Sequence, residues 1–189
     1  MCMMIDATKD EWDACVDYLP YALQDYVIRV QAIKNEEHTR RFNEYKKIHL
    51  AESRMFFKGC HSYDWIEETG MLNVESSNGG GKFTNGQGIY LADDPALSFR
   101  YTYSKRGDSM NEYNILVVET ACKWMQIIKG DGYAHQMVYA EDALQRGYGG
   151  VICMDDGKND QAPNEYICFD NNAMNLRYML TIEKPPFNL

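Results

Sequence analysis

In this 189-residue chain, residues 163–170 read P-N-E-Y-I-C-F-D, with one glutamate, Glu165, at the head of a run of Tyr, Ile, Cys and Phe. Apolar runs of this length become buried strands. A carboxylate at the mouth of one is either a solvated strand end or a group placed there for chemistry. Other stretches invite chemical readings that fail. The G-G-G-K at 79–82 suggests a phosphate-cradling loop, but that loop needs G-x-x-x-x-G-K-[S/T]. Here Ser76 stands at the first glycine position and Phe83 follows the lysine, so the stretch reads as a polar loop. Cys60 beside His61 suggests a thiol and its base, yet neighbours on an extended segment point to opposite faces. His38, His49 and His135 show no metal-ligand spacing, and none of Cys2, Cys15, Cys60, Cys122, Cys153 and Cys168 forms a C-x-x-C. No metal is expected, and the cysteines read as free, mostly buried thiols.

The elements that must position Glu165 follow from apolar periodicity and breakers. The length suits one compact domain, and a chain of this size buries roughly 70% of its unfolded surface, enough to fold without disulfides. A formal charge of −9 gives no attraction to nucleic acid or to an anionic membrane. No apolar stretch approaches the ~20 residues of a membrane helix, and the opening M-C-M-M-I-D-A-T-K-D-E-W-D lacks the features of a signal peptide, so a cytoplasmic setting is expected.

Residues 8–50 read as helical. D-E-W-D-A-C-V-D-Y-L starts at Thr8 as N-cap, and Pro20 breaks it. Leu23, Tyr26, Val27, Val30 and Ile33 then fall at helical spacing. A charged continuation puts Phe42, Tyr45 and Ile48 on one side and a solvated face on the other. Beyond Leu50 the elements are short: R-M-F-F-K-G-C as a strand, H-S-Y-D-W-I-E-E-T-G as a helix closed by Gly70, G-I-Y-L-A as a strand, and D-P-A-L-S-F-R-Y-T-Y as a helix with Pro95 in its first turn. E-Y-N-I-L-V-V-E-T and K-W-M-Q-I-I are strands, V-Y-A-E-D-A-L-Q-R-G is a helix stopped by Gly147, and G-V-I-C-M, N-E-Y-I-C-F and N-L-R-Y-M-L-T-I-E complete the strands. The pattern is α+β without internal repeats.

Three stretches in chain order carry a resemblance: F-F-K-G-C, then G-Q-G-I-Y-L-A-D-D-P-A-L-S-F-R-Y, then P-N-E-Y-I-C-F-D-N-N-A-M-N-L-R-Y-M-L. Together they resemble the ADP-ribosyltransferase fold, in the His–Tyr–Glu group of the poly(ADP-ribose) polymerases and diphtheria toxin. In that family the first strand ends H-G-[T/S]. The second reads G-I-Y-[F/L]-A and leads into a helix with a Ser and a Tyr three residues apart, and the last part reads N-E-Y-I-V-Y-D…N-L-x-Y-L. This chain keeps Tyr90, Ser98 and Tyr101, and further on Asn164, Glu165, Tyr166, Asp170, Asn175, Leu176 and Tyr178. R-G-Y-G-G-V-I is similar to the penultimate strand of bacterial ADP-ribosylating toxins. The resemblance covers 56–182. It implies a split antiparallel β-sheet domain over 51–189; residues 1–50, read from their own pattern as an N-terminal helical segment, are not covered by it.

What the resemblance implies is transfer of ADP-ribose from NAD⁺ with release of nicotinamide. That bond breaks through an oxocarbenium-like state, as in glycoside cleavage. Glu165 would hydrogen-bond the 2′-hydroxyl of the reacting ribose, stabilise the growing positive charge and help position the acceptor. Gly59 would let nicotinamide lie against its backbone, with the Ser98 hydroxyl as a further contact to the carboxamide. Tyr101 would stack on the ring and Tyr90 would flank its other side. Lys58 stands where the family has its histidine, and a lysine can donate to a ribose hydroxyl or phosphate. Cys60 replaces a Thr or Ser, losing a hydroxyl. Leu97 stands where some polymerases carry a lysine just before the serine, which favours transfer of a single ADP-ribose over chain elongation. No R-S-E arrangement is present, which sets the chain apart from arginine-modifying toxins. The expected protein is therefore a mono-ADP-ribosyltransferase with NAD⁺ as co-substrate and no metal. Its acidity favours a protein over a nucleic-acid acceptor, and the toxin likeness suggests a bacterial effector delivered into another cell. An NAD⁺ glycohydrolase and a non-catalytic binding module of the same fold are the competing readings, the latter resting on Lys58.

Overall fold

The computed structural model describes residues 2–60, 64–73, 88–106, 111–128, 143–154 and 165–184. The loop at 79–82, Ser76, Phe83, His61, His135, Asn164 and most of the helix expected before Gly147 lie outside the described residues.

The chain opens with strand β1 (Cys2–Asp6) and helix α1 (Lys9–Asp17). Thr8 caps α1 as expected: its Oγ1 accepts from the Glu11 N–H at 3.4 Å, and its own N–H donates to Glu11 Oε2 at 2.9 Å. After the short helix α2 (Tyr21–Gln24) comes strand β2 (Val27–Asn35). The helical reading of 1–50 is corrected here and at β1. V-I-R-V-Q-A-I places its apolar residues at positions compatible with both periods. The strand, rich in β-branched Val27, Ile28, Val30 and Ile33, then finds backbone partners on both sides: the last strand of the chain along 27–32 and β1 along 31–35. Helix α3 (Glu36–His49) starts at the Asn35 cap, whose side chain accepts from the His38 N–H at 3.0 Å. It buries Phe42 and Tyr45, but Ile48, expected on that face, is 75% exposed.

Strand β3 (Arg54–Cys60), helix α4 (Asp64–Thr69), strand β4 (Ile89–Ala92) and helix α5 (Pro95–Arg106) follow, then β5 (Glu112–Thr120), β6 (Trp124–Ile128), β7 (Gly150–Met154), β8 (Glu165–Cys168) and β9 (Met174–Glu183). Gly70 ends α4 at a φ of 61°, a left-handed geometry that costs glycine little. The strands form one sheet in the order β1-β2-β9-β5-β3-β4-β8-β7-β6, antiparallel throughout except for β6 and β7. This is the expected α+β class with an antiparallel sheet. Among the described residues its two halves, β1-β2-β9-β5-β3 and β4-β8-β7-β6, meet at a single registered pair, Phe57–Ala92.

Each face carries its own core. Phe42 and Tyr45 of α3 pack with Phe56, Leu116, Val118, Tyr166 and Met179 on one side. Cys15, Leu19 and Leu23 pack with Phe57, Phe99, Tyr113, Val117 and Leu180 on the other, beneath α1, α2 and α5. Among the described residues no helix is long and apolar enough to cross a membrane.

Candidate active site

Side-chain alternation along three strands sorts the candidate residues by face. On β8, Tyr166 and Cys168 enter the core under α3, so Glu165 and Ile167 face the α5 side. On β4, Tyr90 pairs with Ile167 and Ala92 with Glu165, which puts Tyr90 on the α5 face too. Glu165 also pairs with Cys153 of β7. Strands flank it on both sides and it is only half exposed, so it is not a solvated strand end.

Helix α5 supplies the rest of the group. Pro95 opens it, and the Asp94 carboxylate accepts from the Ala96 N–H at 2.8 Å. Ser98, Tyr101 and Thr102 are spaced i, i+3 and i+4 and share one helix face. Ser98 and Thr102 are buried, while Tyr101 is 49% exposed. Its hydroxyl donates to Glu165 Oε1 at 2.7 Å, so helix α5 and strand β8 are bonded across the seam between the half-sheets. Burial pushes the Tyr101 pKa up. The bond to Glu165, that carboxylate's charge and the nearby Tyr90 push it further in the same direction, so the phenol keeps its proton and acts as a donor. Tyr90 rests on Val151, Cys153 and Ile167.

Gly59 sits directly beneath α5. A Cβ there would run into Ser98 O and Thr102 Oγ1, and Thr102 Oγ1 itself donates to Ser98 O at 3.1 Å. Glycine at 59 thus lets the helix lie on the strand, a packing reason that the sequence reading, focused on nicotinamide, missed. Thr102, four residues after Ser98, was legible from spacing alone.

The structure does not bring every candidate to this face. Lys58 and Cys60 alternate with Gly59, and their side chains leave on the α3 side. Cys60 is 6% exposed within the core there, and Lys58, opposite Leu116, is half-buried. Neither side chain shares the face of Glu165.

Behind Glu165 the strand is held firmly. Tyr166 lies 4.6 Å from Phe56 and 5.3 Å from Trp124, ring centre to ring centre. Its hydroxyl donates to Asp93 Oδ2 at 2.9 Å, tying β8 to the turn that leads into α5. Cys168 Sγ lies 3.0 Å from Cys122 Sγ. These contacts fix the carboxylate's backbone from the far side of the sheet. A cleft of about 680 Å³ opens elsewhere, between α3 and strands β2 and β9, lined by residues such as Lys34, Asn43, Asn175 and Tyr178. None of the Glu165 group borders it. Among the described residues, no three His, Cys, Asp or Glu side chains are grouped to hold a metal ion.

The sequence model of the poly(ADP-ribose) polymerase catalytic domain matches residues 19–184. No curated protein matches the chain.

Proposed function

The chain belongs to the poly(ADP-ribose) polymerase catalytic-domain family, which uses NAD⁺ to transfer ADP-ribose, and we propose that it is a mono-ADP-ribosyltransferase acting on a protein side chain. The observation that carries this reading is the Tyr101–Glu165 hydrogen bond beside Tyr90 and Ser98. It gathers four residues of the family pattern from β4, α5 and β8 onto one face.

In this reading the ring of Tyr101 stacks on nicotinamide while Tyr90 flanks it, and Ser98 donates to or accepts from the carboxamide. Glu165 accepts from the 2′-hydroxyl of the reacting ribose. As the bond from ribose to nicotinamide breaks, its electron pair leaves with nicotinamide, and the nearby carboxylate offsets the positive charge left on the ribose. The acceptor's nucleophilic atom then attacks the same carbon, and its proton passes to a base, for which Glu165 is the candidate. Leu97, in place of a lysine beside Ser98, supports a single transfer. The overall acidity of the chain supports a protein acceptor. With its side chain on the α3 face, Lys58 takes no step in the bond cleavage.

Incubation with biotinylated NAD⁺ and a cell lysate tests the proposal. Labelled proteins are expected with the wild type and none with Glu165→Ala. Absence of label from the wild type, or equal labelling by the variant, refutes it. Nicotinamide released in buffer alone, with no label on any protein, would identify a glycohydrolase instead.

A further inference from the structure

Tyr101 does something in this structure that ring stacking does not require. Stacking uses the face of the phenol, whereas the bond to Glu165 uses its hydroxyl. The two partners belong to opposite halves of the sheet: α5 lies on β3 and β5, and Glu165 heads β8. Glutamate has three rotatable side-chain bonds, and a carboxylate that must meet one hydroxyl of a substrate needs them fixed beforehand. Glu165 is half exposed, so burial by itself does not fix it. Tyr101 grips one of its two oxygens from the side of α5, at the short distance typical of a hydrogen bond to a charged acceptor.

We propose that Tyr101 is a positioning residue for Glu165: its hydroxyl holds Oε1 and thereby sets the orientation in which the carboxylate meets the substrate. This inference rests on the reading of Glu165 as the residue that meets the ribose of NAD⁺. Burial and the neighbouring carboxylate hold the phenol in its protonated form, so the grip persists across the neutral pH range.

Tyr101→Phe separates the two roles, because it keeps the ring and removes the hydroxyl. In the full-length protein, with nicotinamide release followed at varied NAD⁺, the Phe variant is expected to keep KM within about twofold and to lose about 10- to 100-fold in kcat, the range for one hydrogen bond to a charged group. Tyr101→Ala should raise KM as well. Introduced into Glu165→Ala, the Phe substitution should change nothing further, since its effect acts through that carboxylate. Calorimetry with NAD⁺ confirms that the Phe variant is folded and still binds. Undiminished or increased kcat in Tyr101→Phe overturns the inference while leaving the proposed function standing, provided Glu165→Ala is inactive. Weaker NAD⁺ binding by the double variant than by Glu165→Ala alone, read by the same calorimetry, overturns it too, because the hydroxyl would then act other than through that carboxylate. If the wild type consumes no NAD⁺, the proposed function fails and takes the inference with it.

Discussion

Replacing Gly59 with alanine adds one methyl group where α5 rests on β3. The new carbon would meet the Ser98 carbonyl, which belongs to the helix backbone and cannot rotate aside, and the Thr102 hydroxyl, which is buried and already bonded to that carbonyl. Both lie well inside the 3.0 Å that real Cβ contacts respect, so the helix must retreat by roughly half an ångström or more. Overpacking of this kind costs about 1–3 kcal/mol. For a chain of this length each kcal/mol lowers Tm by about 2–4 °C, giving an expected fall of roughly 2–12 °C. The functional loss should exceed what that instability explains at assay temperature. Ser98 and Tyr101 ride on α5, and the 2.7 Å bond to Glu165 leaves little slack. A misplacement approaching 1 Å can cost on the order of 100-fold in rate, so at least a tenfold drop in kcat is expected. The assays are a thermal melt by circular dichroism and NAD⁺ turnover well below the variant's Tm. A melt within 1 °C of wild type together with unchanged turnover would show that α5 does not bear on β3 at this point.

Two further outcomes follow from buried groups. His38 is 2% exposed, its Nδ1 has no hydrogen-bond partner among the described residues, and burial lowers its pKa, with the Met174 carbonyl opposing and Arg41 reinforcing the shift. With the folded pKa below the unfolded value of about 6.5, the unfolded chain binds more protons between the two. Stability from this group is therefore full above that value and falls as pH drops through the window. Urea midpoints from pH 7.5 down to 5 should decline more steeply for the wild type than for His38→Gln, and parallel declines would refute the assignment. Five of the six cysteines are buried and Cys2 is half-buried, and the Cys168 contact, followed by burial, pushes the Cys122 thiol up. Brief iodoacetamide treatment should add one adduct to the native protein and six after denaturation, as read by intact mass. Three or more native adducts would contradict the packing.

Much of the region around the site was legible because its elements are short and sharply punctuated. Gly70, Pro95 and Gly147 mark helix boundaries, and the apolar runs of β3, β4, β5 and β8 have no competing period. Strand β2 was not legible. Val27, Val30 and Ile33 satisfy a helical spacing, and only the two partner strands decide otherwise. The four residues gathered around Glu165 were visible as types at given spacings, but the hydroxyl-to-carboxylate bond is a tertiary fact with no local signature. The faces of Lys58 and Cys60 were accessible in advance. The alternation that separates Cys60 from His61 also separates both Lys58 and Cys60 from Gly59. What alternation alone does not supply is which face α5 covers, and the close approach at Gly59 settles that.

Among the described residues, the lone Phe57–Ala92 pair between the half-sheets determines how the alignment of the proposed active site is inherited. Within each half, ladders of backbone bonds resist shear and rotation, but across the seam registry depends on side-chain packing, including two buried residues at the join, the Phe56–Tyr166 ring contact and the underside of α5. The separation of Tyr101 from Glu165 is therefore a coordinate between two stiff plates, adjustable by substitutions that touch neither residue. Changes in volume at Phe57, Ala92 or Thr102 should act as fine adjustments of rate, whereas equal changes deep in the β5–β9 ladder should register as lost stability with the chemistry of the surviving molecules unaltered.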